Sequence, residues 1–413
     1  MKGQKTRVGF YLLGPANCNN PNAINEEFLY SQSHALYLGS NDDVRAFIKK
    51  ASCIVLPSYY KEGMPRILLE AMAMGKPIIT TNTNGCKELI KIKKNINANV
   101  IEGENGFLIK SRDINALKTA MELFIESKNK ENMGIESIKE SKKYNINNII
   151  EIYQSTLREL KIGKKILFIS NSSSSMLNFR INILLSLQNK GYEIHILSPY
   201  DKATKILENY GFHCNSIDFD TKSINPIANV KLLLKMQKMI KNIAPNCIFT
   251  YTIKPVIYGS FIANYYSIPN IAIITGLGYV FINENDEERM LKRLFEKMKK
   301  KILRVIITLL YKKTIRKSNE VWLLNNDDKN ELMNLNILDS NARVLPSEGV
   351  DLDYFNANFT FNKSFKLENK EQENYLFNDE NEIRFLLIAR MIKDKGIYEF
   401  IQAAKLLLRK NIT

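Results

Sequence analysis

Two carboxylates, Glu62 and Glu70, bracket Gly63-Met64-Pro65 and the start of an apolar-periodic run that ends at Gly75. Carboxylates accept hydrogen bonds from hydroxyl groups, whereas cations and helix N-termini hold phosphate oxygens. The cations that would complement this pair, Arg390 and Lys395 in Ile388-Ala389-Arg390-Met391-Ile392-Lys393-Asp394-Lys395-Gly396, lie at the far end of the sequence. A ligand with both hydroxyl pairs and a diphosphate, as a sugar nucleotide has, needs both pieces. Taken singly, each Glu reads as a solvated helix face and each cation as a surface charge. The weight lies in the E-x7-E spacing, with a strand before it, Gly-x-Pro inside it and Gly75-Lys76-Pro77 closing the helix. Pro65 suits a first helical position, and Gly63 lets backbone approach a ligand closely.

The elements that must position these residues alternate between strand and helix, the pattern of parallel βαβ units. Strand patterns fall at 7–13, 34–38, 53–56 and 77–81, with helical patterns at 41–50, 65–75, 113–127 and 146–160. From Lys164 the pattern restarts, with strands at 165–170, 192–197, 213–218, 246–251, 270–274, 320–324 and 341–345. A strand at 384–389 and a helix at 395–408 close the chain. The polar stretch 358–383 reads as an inter-domain linker or surface excursion.

Composition bounds the function. The 413 residues allow two domains, and a formal charge of +16 points to an anionic partner. The five cysteines (Cys18, Cys53, Cys86, Cys214, Cys247) form no C-x-x-C pair. They argue against a zinc ribbon or disulfide framework and for a reducing cytoplasm. Met1-Lys2-Gly3-Gln4-Lys5 leads straight into a strand pattern, so no signal peptide is expected. Residues 255–283 are uncharged, but Pro255, Gly259, Pro269, Gly276 and Gly278 interrupt them, so they read as sheet interior rather than a membrane span.

The run Leu56-Pro57-Ser58-Tyr59-Tyr60-Lys61-Glu62-Gly63-Met64-Pro65 through Glu70 to Ile79 resembles the donor-site signature of the retaining glycosyltransferases of family 4. So do Asn105-Gly106-Phe107-Leu108 and Ala389-Arg390 with Lys395-Gly396. The resemblance implies an α/β GT-B fold: two Rossmann-like domains whose parallel sheets face across a cleft, here in circularly permuted order. On that reading residues 1–143 are the main part of the donor domain and 144–163 the crossing helix and linker. Residues 164–357 are then the acceptor domain, 358–383 the polar linker, and 384–413 the first strand and helix of the donor domain. Met1 and Thr413 would fall in one helix-to-strand loop. The competing reading is a fusion of two partial genes.

The resemblance also implies roles. Arg390 and Lys395 would bind the diphosphate and neutralise the leaving nucleotide. Glu62 would contact the transferred sugar and Glu70 the ribose, with Gly63, Met64 and Pro65 lining the donor site. Ser173 and Ser174, in the Asn171–Ser175 loop, stand where the family often carries glycines, although such residues are also ordinary turn material. Thr275 lies where many relatives place a histidine near the reacting centre. His34, His195 and His213 all fall in strand patterns and read as structural. No histidine base is then available, in keeping with a same-face substitution in which the departing phosphate takes the acceptor's proton. Asp218-Phe219-Asp220 and Asp351-Leu352-Asp353 match a metal-binding D-x-D pattern of a different fold, but the E-x7-E class works without metal, so no metal and no cofactor beyond the UDP-sugar co-substrate is expected.

Residues 289–317 hold twelve Lys and Arg against one acid, Glu296, with apolar residues at helical spacing. Such a segment, including Lys299, Lys300 and Arg304, reads either as a solvated surface helix or as a site for anionic headgroups or a lipid diphosphate. The half containing Asn178-Phe179-Arg180, Ser223–Pro226 and Gly276-Leu277-Gly278 resembles bacterial enzymes that add an N-acetylhexosamine to undecaprenyl-diphosphate-linked sugars in N-glycan or O-antigen assembly. The expectation is therefore a peripheral enzyme on the inner face of the cytoplasmic membrane. Its partners would be a UDP-sugar, an undecaprenyl-diphosphate-linked acceptor and an anionic membrane surface, with no nucleic acid. The alternatives are a glycosyltransferase with a soluble acceptor, and an inactive GT-B remnant that binds only nucleotide or a partner.

Overall fold

The computed structural model describes residues 7–16, 20, 22–60, 62–219, 225–277, 290–362, 365–377 and 382–410, with only the helical backbone given for 226, 290–301 and 410. Two compact units emerge. The first comprises residues 1–60, 65–145 and 350–413, and the second 61–64 with 146–349. Both have the expected α/β class, with the Rossmann-like sheets of a GT-B protein.

Numbered along the chain, the first unit contains strands β1 (Val8–Leu13), β2 (Leu36–Tyr37), β3 (Cys53–Leu56), β4 (Ile78–Thr81), β5 (Ile92–Asn97), β6 (Val100–Gly103), β7 (Gly106–Ile109) and β15 (Ile383–Ile388). They form one sheet in the order β2-β1-β15-β3-β4-β7-β6-β5. Its helices are α1 (Glu26–Tyr30), α2 (Arg45–Lys50), α3 (Arg66–Ala73), α4 (Ile114–Glu126), α5 (Lys130–Ser141), α13 (Lys370–Phe377) and α14 (Ile397–Lys410). The late strand β15 lies inside the sheet, parallel to β1 on one side and to β3 on the other. Phe385 stacks on Phe10 at 5.5 Å, and the helices α4 and α14 cover that face through Phe124 and Phe400. Strand β15 is buried on both faces, which is why IRFLLI is almost continuously apolar.

The second unit contains β8 (Lys165–Ile169), β9 (Glu193–Ser198), β10 (His213–Ser216), β11 (Cys247–Tyr251), β12 (Asn270–Ile274), β13 (Glu320–Leu323) and β14 (Ala342–Val344). Their order is β10-β9-β8-β11-β12-β13-β14, all parallel. Helices α6 (Ile146–Glu159), α7 (Ser173–Asn189) and α8 (Lys202–Asn209) cover one face. The other is covered by α9 (Pro226–Ile243), α10 (Ile253–Tyr265), α11 (Met290–Thr314) and α12 (Asn326–Asn334). The uncharged run beginning at Pro255 thus forms α10 and the fully buried strand β12. No helix among the described residues is long and apolar enough to cross a membrane.

Counted from β15 in the first sheet and from β8 in the second, both sheets read 3-2-1-4-5 across their first five strands. In such a doubly wound sheet the strand order reverses between strands 1 and 4, and ligands bind outside the carboxyl ends there.

Two local expectations change, and one element is new. Helix α3 begins at Arg66, and Pro65 is its extended N-cap (φ −72°, ψ 107°) rather than its first residue. The stretch 358–383 contains α13, whose Tyr375 hydroxyl donates to the Phe47 carbonyl (2.9 Å) and whose Gln372 amide donates to Leu38 and Ser40 carbonyls. Its anchors are polar, so apolar periodicity could not reveal it. The meander β5-β6-β7, antiparallel within itself, was also not read, because β5 is exposed and polar.

Candidate functional site

In the first sheet the reversal lies between β15 and β3. The loops leaving these strands are 389–396 and 57–60, and backbone bonds stitch them together. The Asp394 carbonyl accepts from the amides of Tyr59 (3.0 Å) and Tyr60 (3.2 Å) and from the Ser58 hydroxyl (3.2 Å). On the other flank the Asp394 carboxylate accepts from the Asn22 amide (2.9 Å), and the Met391 amide donates to the Pro15 carbonyl (2.9 Å). Gly396 ends the loop at φ +78°, and a Cβ there would meet the Pro57 carbonyl oxygen at 2.3 Å. Only glycine tolerates that conformation and approach together. The loop therefore holds Arg390, which is exposed, and Lys395, whose ammonium lies 5.5 Å from the Tyr60 ring centroid, at the carboxyl end of the sheet.

Glu70 lies on α3 of the same unit, paired with Arg66 one turn earlier (Nε–Oε1 2.9 Å). Its side chain is only 12% exposed. Burial pushes its carboxyl up to about 7, against the downward pull of Arg66. The group is thus poised to change charge near neutrality.

Glu62, Gly63 and Met64 group with the second unit. A Cβ on Gly63 would meet the Thr275 carbonyl oxygen at 2.0 Å, so protein backbone approaches closely at this glycine. The fully buried Asn325 donates from Nδ2 to the Gly63 carbonyl (2.8 Å), and its Oδ1 caps α12 through the Asp328 amide (2.7 Å). Met64 packs on the core of that unit, and Thr275 supplies the floor of the turn. The side chain of Glu62 is partly buried.

The reversal in the second sheet lies between β8 and β11. The Ser172 hydroxyl caps α7, and the Ser174 amide donates to the Asp201 carboxylate (2.9 Å). Ser173 is buried, bonded to the Ser198 hydroxyl (2.7 Å) and the Pro199 carbonyl (2.9 Å). Its hydroxyl is turned inward. Arg180 is likewise buried, at 4% exposure. It pairs with Glu348, donates to the Ser175 carbonyl (3.0 Å) and lies 4.0 Å over the Tyr251 ring, while Nε has no partner. Arg304 pairs with Glu331 (3.0 Å), tying α11 to α12. Lys299 and Lys300 are in α11, but their side chains lie outside the described residues, as does Gly278.

One residue at this second reversal escaped the sequence reading. Thr252, directly after β11, adopts φ +69° and ψ 164° as the N-cap of α10, and its hydroxyl is buried without a partner. A β-branched residue in that region is strained by ~1–3 kcal/mol. Threonine gives no sequence signal for such a conformation, so no motif could have flagged it.

Among the described residues, one group has metal-ligand spacing: Glu193, His195 and His213 on β9 and β10. Its imidazoles stack at 4.7 Å, and Glu193 already bonds His195 (2.7 Å) with Lys165 at 3.7 Å. Asp351 accepts from the amides of Asp353 and Tyr354 in a turn, and Asp220 of the other D-x-D pattern lies outside the described residues. Cys53, Cys86 and Cys247 are buried and Cys214 is half-buried, none of the four in a disulfide, and Cys18 lies outside the described residues.

Comparison with known proteins divides along the same lines as the fold. Residues 23–141 match the family profile "Glycosyl transferases group 1", and residues 165–309 match "Glycosyl transferase 4-like". The chain is 26% identical over 244 residues to N,N'-diacetylbacillosaminyl-diphospho-undecaprenol alpha-1,3-N-acetylgalactosaminyltransferase of Campylobacter jejuni, a match covering 59% of this chain and 60% of that one. It is 36% identical over 86 residues to UDP-Gal:alpha-D-GlcNAc-diphosphoundecaprenol alpha-1,3-galactosyltransferase of Escherichia coli, covering 21% of this chain and 19% of that one. The chain thus spans at most 60% of the length of these two relatives. A solved glycosyltransferase from Rickettsia africae overlaps 60% of this chain and 65% of its own, at 16% identity and a TM-score of 0.40. In sequence, the chain is related to the glycosyltransferases of family 4.

Proposed function

We propose that this chain is a metal-independent, retaining glycosyltransferase that takes a sugar from a UDP-sugar, on a fold whose parts run in circularly permuted order. The sugar would be an N-acetylhexosamine, and the acceptor a polyprenyl-diphosphate-linked saccharide of bacterial surface glycan synthesis, offered at an anionic membrane face. The observation that carries the reading is the bonding of loop 389–396 to loop 57–60 at the strand-order reversal of the first sheet. The loop that carries the cation pair is thereby joined to the loop that runs on in sequence into the carboxylate motif.

In this mechanism Arg390 and Lys395 neutralise charge that grows on the leaving diphosphate as the glycosidic bond breaks. The amide-rich start of α14 adds its dipole to the same end. Glu70 accepts from the ribose diol, and Glu62, with Gly63, Met64 and Pro65 shaping its loop, accepts from the transferred sugar. The departing phosphate takes the acceptor's proton, so no side-chain base is needed. The names of the Campylobacter and Escherichia relatives support a lipid-diphosphate acceptor.

The test is turnover across a UDP-sugar panel with undecaprenyl-diphosphate acceptors. Arg390→Ala is expected to weaken UDP binding by about tenfold or more, the worth of a charge-assisted bond. Calorimetry showing unchanged affinity would detach the late segment from the site. Glu62→Ala is expected to abolish transfer with an unaltered melting curve, and retained turnover would remove Glu62 from the chemistry.

A further inference from the structure

Helices α9, α10 and α11 lie side by side on one face of the second sheet. Their inner sides share the core through Met236 and Ile240 of α9, Val256 and Ile262 of α10, and Ile307 and Tyr311 of α11. Bonds link the neighbours: Gln237 of α9 donates to the Tyr266 hydroxyl just after α10 (2.8 Å), and Asn264 of α10 donates to the Thr314 carbonyl of α11 (2.8 Å).

Their outer sides are unusual in the same way. On α9, Ile227, Val230 and Leu234 are 69%, 55% and 58% exposed. Around α10, Phe261, Tyr265 and Tyr266 are exposed, Tyr265 by 70%. On α11, Ile302, Val305, Ile306 and Leu309 follow i, i+3, i+4, i+7 spacing and are all exposed. Apolar side chains at that spacing normally face a core. Here Ile307 and Tyr311 already do, so α11 carries a second apolar stripe outside. The three helices together hold fourteen Lys and Arg and a single acid, Glu296. Lys231, Lys235, Lys238 and Lys241 of α9 and Lys312 and Lys313 of α11 are exposed among the apolar residues. The acids at 284, 286, 287 and 288 precede α11 and lie outside the described residues.

We propose that the outer face of α9, α10 and α11 is one docking surface for an anionic lipid bilayer, with the lysines on headgroups and the aliphatic and aromatic side chains at the acyl boundary. The inference rests on the membrane-face reading above and extends it from one basic helix to three. Charge decides among occupants. A second copy of the same face would oppose cation to cation. A nucleic-acid backbone would satisfy the lysines but leave seven exposed aliphatic side chains of α9 and α11 without a partner. An anionic interface satisfies both sets, and mixed apolar and basic helices with flanking aromatics bind there.

The test is co-sedimentation of the full chain with vesicles of phosphatidylcholine alone or with about a third phosphatidylglycerol. Binding is expected only to the anionic vesicles and is expected to weaken with salt. Leu234→Asp/Lys235→Glu/Lys238→Glu on α9 is expected to lower that affinity by tenfold or more. Leu309→Asp on α11 is expected to lower it too, whereas Lys202→Glu/Lys205→Glu on α8, on the opposite face, is expected to leave it unchanged. All these positions are surface sites, so melting temperature serves as the folding control. Absent vesicle binding by the unmodified chain, or undiminished binding by the α9 variant, overturns the proposal, as does a preference for single-stranded RNA over anionic vesicles. UDP affinity, read in parallel, separates the two readings. Vesicle binding without UDP binding would sink the donor site and leave the docking face standing.

Discussion

Glu70 shows how a candidate site residue can stand out in sequence while its surroundings do not. Its position in the E-x7-E spacing was legible, but its burial beside Arg66 was not, because exposure depends on which helix face the unit covers. Its raised carboxyl has a definite sign. With about 7 in the folded state and 4.5 as the ordinary value, the folded chain holds the extra proton between those limits. Stability of the first unit should therefore fall as pH rises from 4.5 to 7, by up to ~3 kcal/mol. Glu70→Gln is expected to flatten that slope in urea melts taken across the interval. Parallel slopes for both proteins would mean that the carboxyl titrates normally. Arg390 and Lys395 stood out through the family resemblance, and their place in a charged loop between an apolar strand and a helix was legible from the pattern. Thr252 and the inward turn of Ser173 were not, since threonine gives no signal for a positive φ and the Ser173 hydroxyl turns toward Ser198 and Pro199, distant in sequence.

At the scale of elements, buried parallel strands were the most legible features, as continuous apolar runs such as CIVL in β3 and NIAII in β12. Short polar-anchored pieces were the least legible. Helix α13 is held by Gln372 and Tyr375 through hydrogen bonds to carbonyls, and β5 is an exposed edge, so neither has an apolar period to detect. Junctions between elements are where single changes should tell most. Gly396→Ala would force a side chain into φ +78° and against the Pro57 carbonyl at 2.3 Å. A loss of ~1–3 kcal/mol is expected for the first unit, together with weaker UDP binding, because the same turn carries Lys395. Thermal melts and calorimetry check both effects, and an unshifted melt would show that the loop relaxes freely.

For the whole molecule, the main consequence of the sequence order is that β15 lies between β1 and β3. Deleting residues 383–413 should strip slow amide exchange from the first sheet and leave it in the second, whose strands all come from residues 165–344. Hydrogen exchange by mass spectrometry reads this directly, and a first sheet that stays protected would show that β1 and β3 can close the gap. Synthesis makes that gap real for a time. A ribosome working at ~5–20 residues per second needs roughly half a minute to pass from β3 to β15. Throughout that interval β1 and β3 each present an unpaired edge beside a strand-sized vacancy, a template for pairing with the wrong chain. Wild-type yield in the cell should then depend on whatever holds those edges apart until the last strand is made.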